Sequence, residues 1–342
     1  MHRTAPTSRR LMLAAVAVVG AVAVVACGQD GAPDSEGSTV EEMTVRTEPC
    51  AATESPVVVE SSPTTGGAVS SVAPLATAAV RSEQRIVPVD GDLAEIVFAL
   101  GFGDQVVATD ISATYPANAD ELPEVGYQRA LAPEPILGFE PTLVLATDLA
   151  RPIETLDALE RLDVDTVVIE RESSPRGPGN KIRAVATAIG ADAAGVELAA
   201  EVDAQIAAAT ARALLATSSP RVGVVYLRGD SVQLLFGEGS GVDWLIDAAG
   251  GIDVADELGV VDNAPISAEA LLTAAPDVLI VPQRGLDSVG GLDGLLEIPG
   301  IAATPAGQER RILVYDDQLL LGNGPRTGIF LDQLITDLHG DI

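Results

Sequence analysis

Apolar residues beyond position 84 fall into short continuous runs and into longer runs with a helical period. Two stretches, 132–146 and 267–281, follow one plan: a carboxylate opens a short helix, a proline ends it, and a continuous apolar strand follows. A strand without alternation needs burial on both faces, as in a parallel sheet covered by helices. The pattern therefore predicts an α/β chain with one such unit in each half. The aligned positions are Glu134 with Glu269, Leu137 with Leu272, and Pro141 with Pro276.

The remaining periodicity predicts strands at 85–89, 105–109, 165–170, 221–227 and 312–315. Residues 197–217 contain no Gly or Pro and are rich in Ala, which predicts one long helix. We expect two Rossmann-like lobes with mostly parallel central sheets, joined once by this rigid helix, with a ligand cleft between them. The predicted division is an N-terminal α/β lobe at 84–194, a linking helix at 195–219 and a C-terminal α/β lobe at 220–342.

Residues 1–27 have the pattern of an export signal. Arg9 and Arg10 precede the uncharged stretch 11–26, which is shorter than the roughly 20 residues that span a bilayer. The letters VVAC at 24–27 resemble the lipobox of bacterial lipoproteins, which implies cleavage before Cys27 and lipid attachment to it. An uncleaved anchor helix is the alternative. A twin-arginine-like pattern at 8–13 leaves the export route, Sec or Tat, open.

Residues 28–83 are rich in Ser, Thr, Gly, Pro and Glu and show no sustained period. Such a segment buries too little apolar surface to offset its ordering entropy, so we expect a disordered tether. Cys50 lies in this segment. With Cys27 lipidated, Cys50 has no partner, and no disulfide is expected in the folded part.

Composition excludes several classes of function. A net charge of −30 argues against nucleic acid as a partner, because binding it needs a basic face. His339 is the only histidine after the signal, and no cysteine follows Cys50. A His/Cys zinc site, a Cys–His pair and a Ser–His–Asp triad are therefore not expected. The Gly-rich loops complete no nucleotide-binding motif, so we expect a protein that is not an enzyme.

Three motifs carry a specific likeness: GYQRAL at 126–131, VYLRG at 225–229 and LLGNGPRT at 320–327. With them, residues 84–340 resemble the class III substrate-binding proteins of ABC importers, which serve haem, cobalamin and ferric siderophores, and most of all the haem-binding branch. Asn323 departs from the Phe that is usual there.

The resemblance implies a monomeric extracytoplasmic receptor, lipid-anchored to the outer face of the cell membrane. It would capture haem, as a transported ligand and not an intrinsic cofactor, and deliver it to an ABC permease dimer with its ATPase. A ferric siderophore or cobalamin is the alternative ligand. An envelope enzyme or chelatase that uses carboxylates, or a lipoprotein with only an interaction role, are alternatives of other classes.

Tyr127 and Tyr226 are the candidate iron ligands. A phenolate is a hard anionic donor that suits ferric iron, and tyrosine is an accepted axial ligand of haem. Each is followed two positions later by an arginine, Arg129 and Arg228, which favours the charged form. The resemblance implies that one or both bind the iron, with Tyr226 the stronger ligand. The alternative for each is a structural, half-buried tyrosine.

The other candidates surround the cleft or face the permease. Arg326 could hold a haem propionate through a bidentate pair, with Arg129 and Arg228 sharing this role or supporting the tyrosines. Weaker candidates for the apolar wall are Tyr115 and Phe236. The resemblance implies that Glu134 and Glu269 dock into basic pockets of the permease. Their alternative role is stabilisation of a helix N-terminus, worth about 0.3–1 kcal/mol.

Overall fold

The computed structural model describes residues 59–60 and 84–342, so the predicted signal peptide, Cys27 and Cys50 lie outside the described residues. The strands of the described part are β1 Val59–Glu60, β2 Ile86–Pro88, β3 Leu143–Thr147, β4 Asp165–Ile169, β5 Arg221–Arg228, β6 Val232–Phe236, β7 Ile252–Asp253, β8 Asn263–Pro265, β9 Val278–Pro282 and β10 Ile312–Tyr315. The helices there are α1 Gly91–Ala99, α2 Ala117–Asp120, α3 Pro133–Leu137, α4 Ile153–Glu160, α5 Gly177–Ile189, α6 Asp192–Ala213, α7 Asp243–Ala248, α8 Val254–Glu257, α9 Ala268–Ala274, α10 Gln283–Ser288, α11 Gly291–Glu297, α12 Pro305–Gln308, α13 Asp317–Leu321 and α14 Thr327–His339. No helix in these ranges is long and apolar enough to cross a membrane.

The N-terminal lobe is built on a parallel sheet in the order β2-β3-β4. Val144 of β3 pairs with Val87 of β2 and with Thr166 of β4. Every residue of β3 is buried, as its unbroken apolar sequence requires of a central strand with helices on both faces. The edge strand β4 is partly exposed, and only Ile169 in it is buried.

The C-terminal lobe holds a larger, mostly parallel sheet in the order β1-β10-β9-β5-β6-β8, with β7 also paired to β5. Strands β5, β9 and β10 run parallel, whereas β6 is antiparallel to β5 and β8. The two lobes with parallel sheets confirm the predicted α/β fold. The parallel order brings the carboxyl ends of β5, β9 and β10 to one edge of the sheet, where α/β proteins bind ligands.

The repeated helix–strand unit occurs once in each lobe, as α3 with β3 and as α9 with β9. In the first copy Pro133 stands at the first helical position, where its missing N–H costs nothing. In the second, the hydroxyl of Ser267 caps α9 by accepting a bond from the N–H of Ala270. Both following strands are buried along their whole length, which confirms the two-sided burial predicted from their sequences.

The long helix α6 begins earlier than predicted, at Asp192, and ends earlier, at Ala213. Its start includes Gly195, where a Cβ atom would lie 2.1 Å from the Cβ of Ala186 in α5, so only glycine fits this close approach. The helix packs against both α5 and α14. A single apolar cluster runs from Leu93 of the N-terminal lobe through α6 to Leu245 of the C-terminal lobe.

Two segments differ from their predicted structure. Residues 105–109 form isolated bridges instead of a strand, because Val106 and Thr109 pair with different segments. Within the predicted tether 28–83, Val59–Glu60 pairs in parallel with β10, where a β-branched run in the sequence meets an open sheet edge. In addition to the predicted linking helix α6, residues 316–327 contact the N-terminal lobe from the segment after β10.

Candidate functional site

Tyr226 lies near the carboxyl end of β5, half-buried at the edge where the strands of the C-terminal sheet end. Its ring stacks on that of Phe236 in the antiparallel strand β6, with 5.2 Å between centroids and 12° between planes. The guanidinium carbon of Arg228 lies 4.3 Å from the centroid of the Tyr226 ring. Tyr226 and Arg228 are two positions apart in β5, so their side chains lie on the same face of the strand. Phe236, predicted to be part of the apolar wall of the cleft, thus lies beside Tyr226.

Tyr127 reaches the same place from the other lobe. It precedes a short 3₁₀ turn, Gln128–Ala130, and is half-buried. Its side chain lies close enough to that of Tyr226 to influence its pKa, so the two predicted iron ligands come near each other across the cleft. Burial raises the pKa of Tyr226, and Tyr127 and Asp317 raise it further, whereas Arg228 opposes them. The phenol of Tyr226 therefore keeps its proton at neutral pH in the free protein.

Arg228 is held by groups that the sequence did not single out. Its Nη2 donates to Oδ1 of Asp317 at 2.7 Å, and its Nη1 donates to the carbonyl of Leu227 at 2.7 Å. Oδ2 of Asp317 accepts from the backbone N–H of Arg284 at 2.9 Å. Arg284 in turn crosses the cleft, where its Nη1 lies 3.3 Å from the carbonyl of Ile111. Asp317 lies two residues after the end of β10, and Arg284 lies two residues after the end of β9. The strand order brings both beside Arg228.

Arg326 has partners within the protein. Its guanidinium makes a bidentate pair with the carboxylate of Glu95, with both N–O distances 2.9 Å. The same guanidinium lies 3.7 Å from the ring centroid of Tyr115. The side chains of Arg326 and Glu95 are only 18% and 5% exposed, so this pair is largely closed to solvent. The structure thus places Arg326 and Tyr115 together at the junction of the lobes.

Gln318 joins the two lobes at this junction. Its amide nitrogen donates to the carbonyls of Gly91 at 2.8 Å and Tyr115 at 3.1 Å. Its amide oxygen accepts from the N–H groups of Thr114 at 2.8 Å and Tyr115 at 2.9 Å. All of these bonds connect α13 with the N-terminal lobe. A buried amide that satisfies four backbone groups fixes the position of one lobe against the other.

A second buried link involves Lys181 of α5, whose ammonium pairs with the carboxylate of Asp92 and donates to the carbonyl of Gly322 at 2.8 Å. Asp90 lies beside them and accepts a bond from Thr147 at 2.9 Å. Burial raises the pKa of Asp90 well above its usual value, the charges of Asp92 and Asp110 add to this, and Lys181 opposes it. The start of α1 is therefore a buried acidic region that one lysine partly neutralises.

Asp110 gives this region a measurable pH dependence. Burial raises its pKa to about 6, although hydrogen bonds from Ser112 oppose the shift. A carboxyl whose pKa is higher in the folded than in the unfolded chain binds its proton more tightly when folded, so stability falls as the pH rises from about 4 through about 6. Between about pH 5 and pH 7.5 the loss from this group is about 1.5 kcal/mol.

We therefore expect Asp110→Asn to reduce the difference in unfolding free energy between these two pH values by about 1.5 kcal/mol. Urea unfolding at both pH values measures the effect. The exposed Asp165 provides a matched control, because Asp165→Asn removes a carboxylate from the same lobe without burial. An unchanged pH dependence in Asp110→Asn would contradict the assignment.

The remaining candidates are exposed. Arg129 projects from the 3₁₀ turn after Tyr127, and none of the described residues forms an ion pair with it. Glu134 and Glu269 are exposed in the first turns of α3 and α9, one on each lobe. Asn323, at the position that departs from the resemblance, is buried and donates to the carbonyl of Gly241 at 2.8 Å.

The family model described as periplasmic binding protein matches residues 86–319. Among solved structures, the chain is similar to the periplasmic haem-binding protein RhuT from Roseiflexus sp. RS-1 in its apo form, with 48% identity, a TM-score of 0.73, and coverage of 75% of this chain and 97% of that one. It is also similar to the periplasmic haem-binding protein BhuT in complex with two haems, with 34% identity, a TM-score of 0.69, and coverage of 75% and 98%.

A curated relative shows a more distant likeness. The vitamin B12-binding protein of Pectobacterium carotovorum subsp. carotovorum (strain PC1) is 28% identical over 113 residues, which is 33% of this chain. The match spans 41% of the length of that relative.

Proposed function

We propose that this chain, which belongs to the periplasmic binding protein family, is an extracytoplasmic receptor that captures haem between its two lobes. The observation that carries the proposal is the meeting of Tyr127 and Tyr226, one from each lobe, with Arg228 over the ring of the second. Similarity over most of the chain to haem-binding proteins supports the same ligand. The family and these neighbours are binding proteins, and the proposal involves no catalysis.

Tyr226 is the stronger proposed ligand of the ferric iron, with Tyr127 as a second ligand or a hydrogen-bond partner. The two phenols must separate if iron is to lie between them. Because burial raises the pKa of Tyr226, coordination must release its proton, and the iron and the guanidinium of Arg228 both favour the resulting phenolate. Phe236 offers an apolar face next to this ligand for the porphyrin.

The proposed partners of the haem propionates are the cationic side chains that remain open to the cleft. Arg129 is exposed beside Tyr127, and Arg284 is exposed and reaches across to Ile111. Arg326 is already paired with Glu95, so binding a propionate would first require it to give up a largely buried bidentate partner. We therefore assign Arg326 mainly to the junction of the lobes.

A titration of the purified protein with haemin, followed by absorbance, tests the proposal. We expect a saturating change with a high-spin ferric tyrosinate signature, and recovery of chemically unchanged haem after extraction. Cyanocobalamin and a ferric siderophore, titrated in parallel, serve as competing ligands because of the vitamin B12-binding relative. A spectrum identical to that of free haemin would reject haem as the ligand, and altered porphyrin would indicate an enzyme.

Glu134 and Glu269 are proposed to dock the loaded receptor onto an ABC permease dimer and its ATPase. The support is their equivalent place in the repeated unit, exposed once on each lobe. We expect the double charge reversal Glu134→Lys with Glu269→Lys to lower haem-dependent ATP hydrolysis by the reconstituted permease by about tenfold or more, because like charges across an interface cost several kcal/mol.

Haem affinity should stay unchanged in that double variant, since neither glutamate contacts the cleft tyrosines. Glu154 and Asp293 are exposed first-turn acids on α4 and α11, so their reversal to Lys matches the change in charge and helix position. An equal loss of ATP hydrolysis in these controls would show that net charge alone causes the effect. It would contradict docking through Glu134 and Glu269.

We propose that the receptor is held at the outer face of the cell membrane by lipid attached to Cys27. The support is the lipobox-like sequence at 24–27 and its position after an uncharged stretch. Cys27→Ala is expected to move the protein from the membrane fraction to the soluble fraction and to abolish incorporation of labelled palmitate. Retention of Cys27→Ala in the membrane would favour the uncleaved anchor helix instead.

A further inference from the structure

We infer that Asp317 is a positioning residue for ligand binding, which holds the guanidinium of Arg228 over the ring of Tyr226 and so fixes the direction of the phenol. The inference rests on the proposed function, since it assigns a support to the proposed iron ligand. Asp317 is the first residue of α13, on the segment between β10 and α14.

Both oxygens of the Asp317 carboxylate are engaged. Oδ1 accepts from Nη2 of Arg228 at 2.7 Å, and Oδ2 accepts from the backbone N–H of Arg284 at 2.9 Å. The Asp317 side chain is 13% exposed. A carboxylate bound on two sides cannot rotate away, so it presents a fixed acceptor to Arg228.

The guanidinium is then fixed at two points, since its Nη1 also donates to the carbonyl of Leu227 at 2.7 Å. An arginine side chain otherwise samples many rotamers, and these bonds select one of them in advance of ligand binding. With its carbon 4.3 Å from the centroid of Tyr226, the fixed guanidinium limits the rotation of that ring.

A purely electrostatic role for Asp317 would work against the proposed ligand. Its negative charge raises the pKa of Tyr226, although less than burial does. Its benefit must therefore come through the geometry that it gives to Arg228. The next residue, Gln318, forms hydrogen bonds with the N-terminal lobe. The position of Asp317, and through it that of Arg228, therefore depends on how the two lobes are fixed against each other.

A double-mutant cycle in the full-length protein tests the inference, with Asp317→Asn, Arg228→Gln and the two combined. The readouts are the rate of haemin transfer to apomyoglobin and the position of the phenolate-to-iron charge-transfer band. We expect Asp317→Asn to speed haemin loss by about tenfold and to shift the band, as loss of an outer-shell partner does at metal sites. In the Arg228→Gln background, Asp317→Asn should add less than about twofold.

Asp317→Glu keeps the charge and should restore part of the wild-type rate. This variant also tests the inference if Asp317→Asn folds poorly. Asp316→Asn is the matched control, because Asp316 caps the same helix by accepting from the N–H of Leu319. Additive effects of the two substitutions, or wild-type behaviour of Asp317→Asn, would overturn the inference. If wild-type protein gives no tyrosinate band, or Tyr226→Phe with Tyr127→Phe keeps it, the proposed function itself fails.

Discussion

Tyr226→Phe is expected to weaken haemin binding by about a hundredfold or more and to remove most of the tyrosinate charge-transfer band. The substitution deletes one oxygen and leaves the ring stacked on Phe236 and under Arg228, so the change reports the iron bond itself. Loss of an outer-shell partner alone typically costs ~10- to 100-fold in metal affinity, and loss of the ligand should cost more. Absorbance titration with haemin, and competition with apomyoglobin for tight binding, measure the effect.

Tyr127→Phe is the matched variant from the other lobe. It removes the phenol oxygen that lies near Tyr226 but leaves the proposed stronger ligand in place. We expect a loss in affinity of about tenfold or less, with a shifted band. If the losses are reversed, Tyr127 is the dominant ligand. If both single variants bind haemin as the wild type does, neither phenol carries the binding energy and the iron-ligand proposal is wrong.

Lys181→Met is expected to lower the free energy of unfolding by about 3–5 kcal/mol, the cost of breaking one partner of a buried ion pair. Lys181 and Asp92 are only 5% and 3% exposed, so removing the ammonium leaves a carboxylate buried without its counter-charge. Asp90 and Glu95 lie close by, and the charge of Asp92 raises the pKa of both, so these acids interact unfavourably with an unpaired Asp92 carboxylate. Urea denaturation, with agreement of two spectroscopic probes to establish two-state behaviour, measures the loss.

Two further variants separate charge from packing. Lys181→Met combined with Asp92→Leu should recover much of the lost stability, because replacing a buried pair by apolar residues is often neutral or stabilising. The pair of Arg171 and Asp148 is a control, with side chains 28% and 42% exposed, and Arg171→Met should cost about 1 kcal/mol or less. A similar small cost for Lys181→Met would mean that water reaches Asp92 in solution.

The sequence predicts the fold well where the signal is local. Unbroken apolar runs indicate the buried strands β3 and β9, and the Ala-rich stretch without Pro indicates α6. The same criterion fails at 105–109, where apolar residues belong to a buried loop that only bridges neighbouring segments. A short apolar run reports burial more directly than it reports a strand, because any buried backbone with paired N–H and C=O groups can carry it.

The candidate site divides in the same way. Tyr127 and Tyr226 are identifiable from their motifs, and whether they bind iron stays a prediction. Their contact is not identifiable from the sequence, because it depends on how two separately folded sheets meet. Nothing in the local sequence singles out Asp317 or Arg284, because each is an ordinary charged residue shortly after the end of a strand. The local sequence around Arg326 likewise gives no sign that α1 supplies Glu95 as a largely buried partner.

The apolar cluster that continues from Leu93 through α6 to Leu245 has a consequence for how this receptor can evolve. Interiors are packed as densely as organic crystals, so the two sides of such a cluster must match in shape. Exchange of a whole lobe with a relative at a boundary in α6 would join surfaces that were never selected together. We therefore expect new ligand preferences to arise more readily through single substitutions around the proposed ligand Tyr226 than through recombination of lobes.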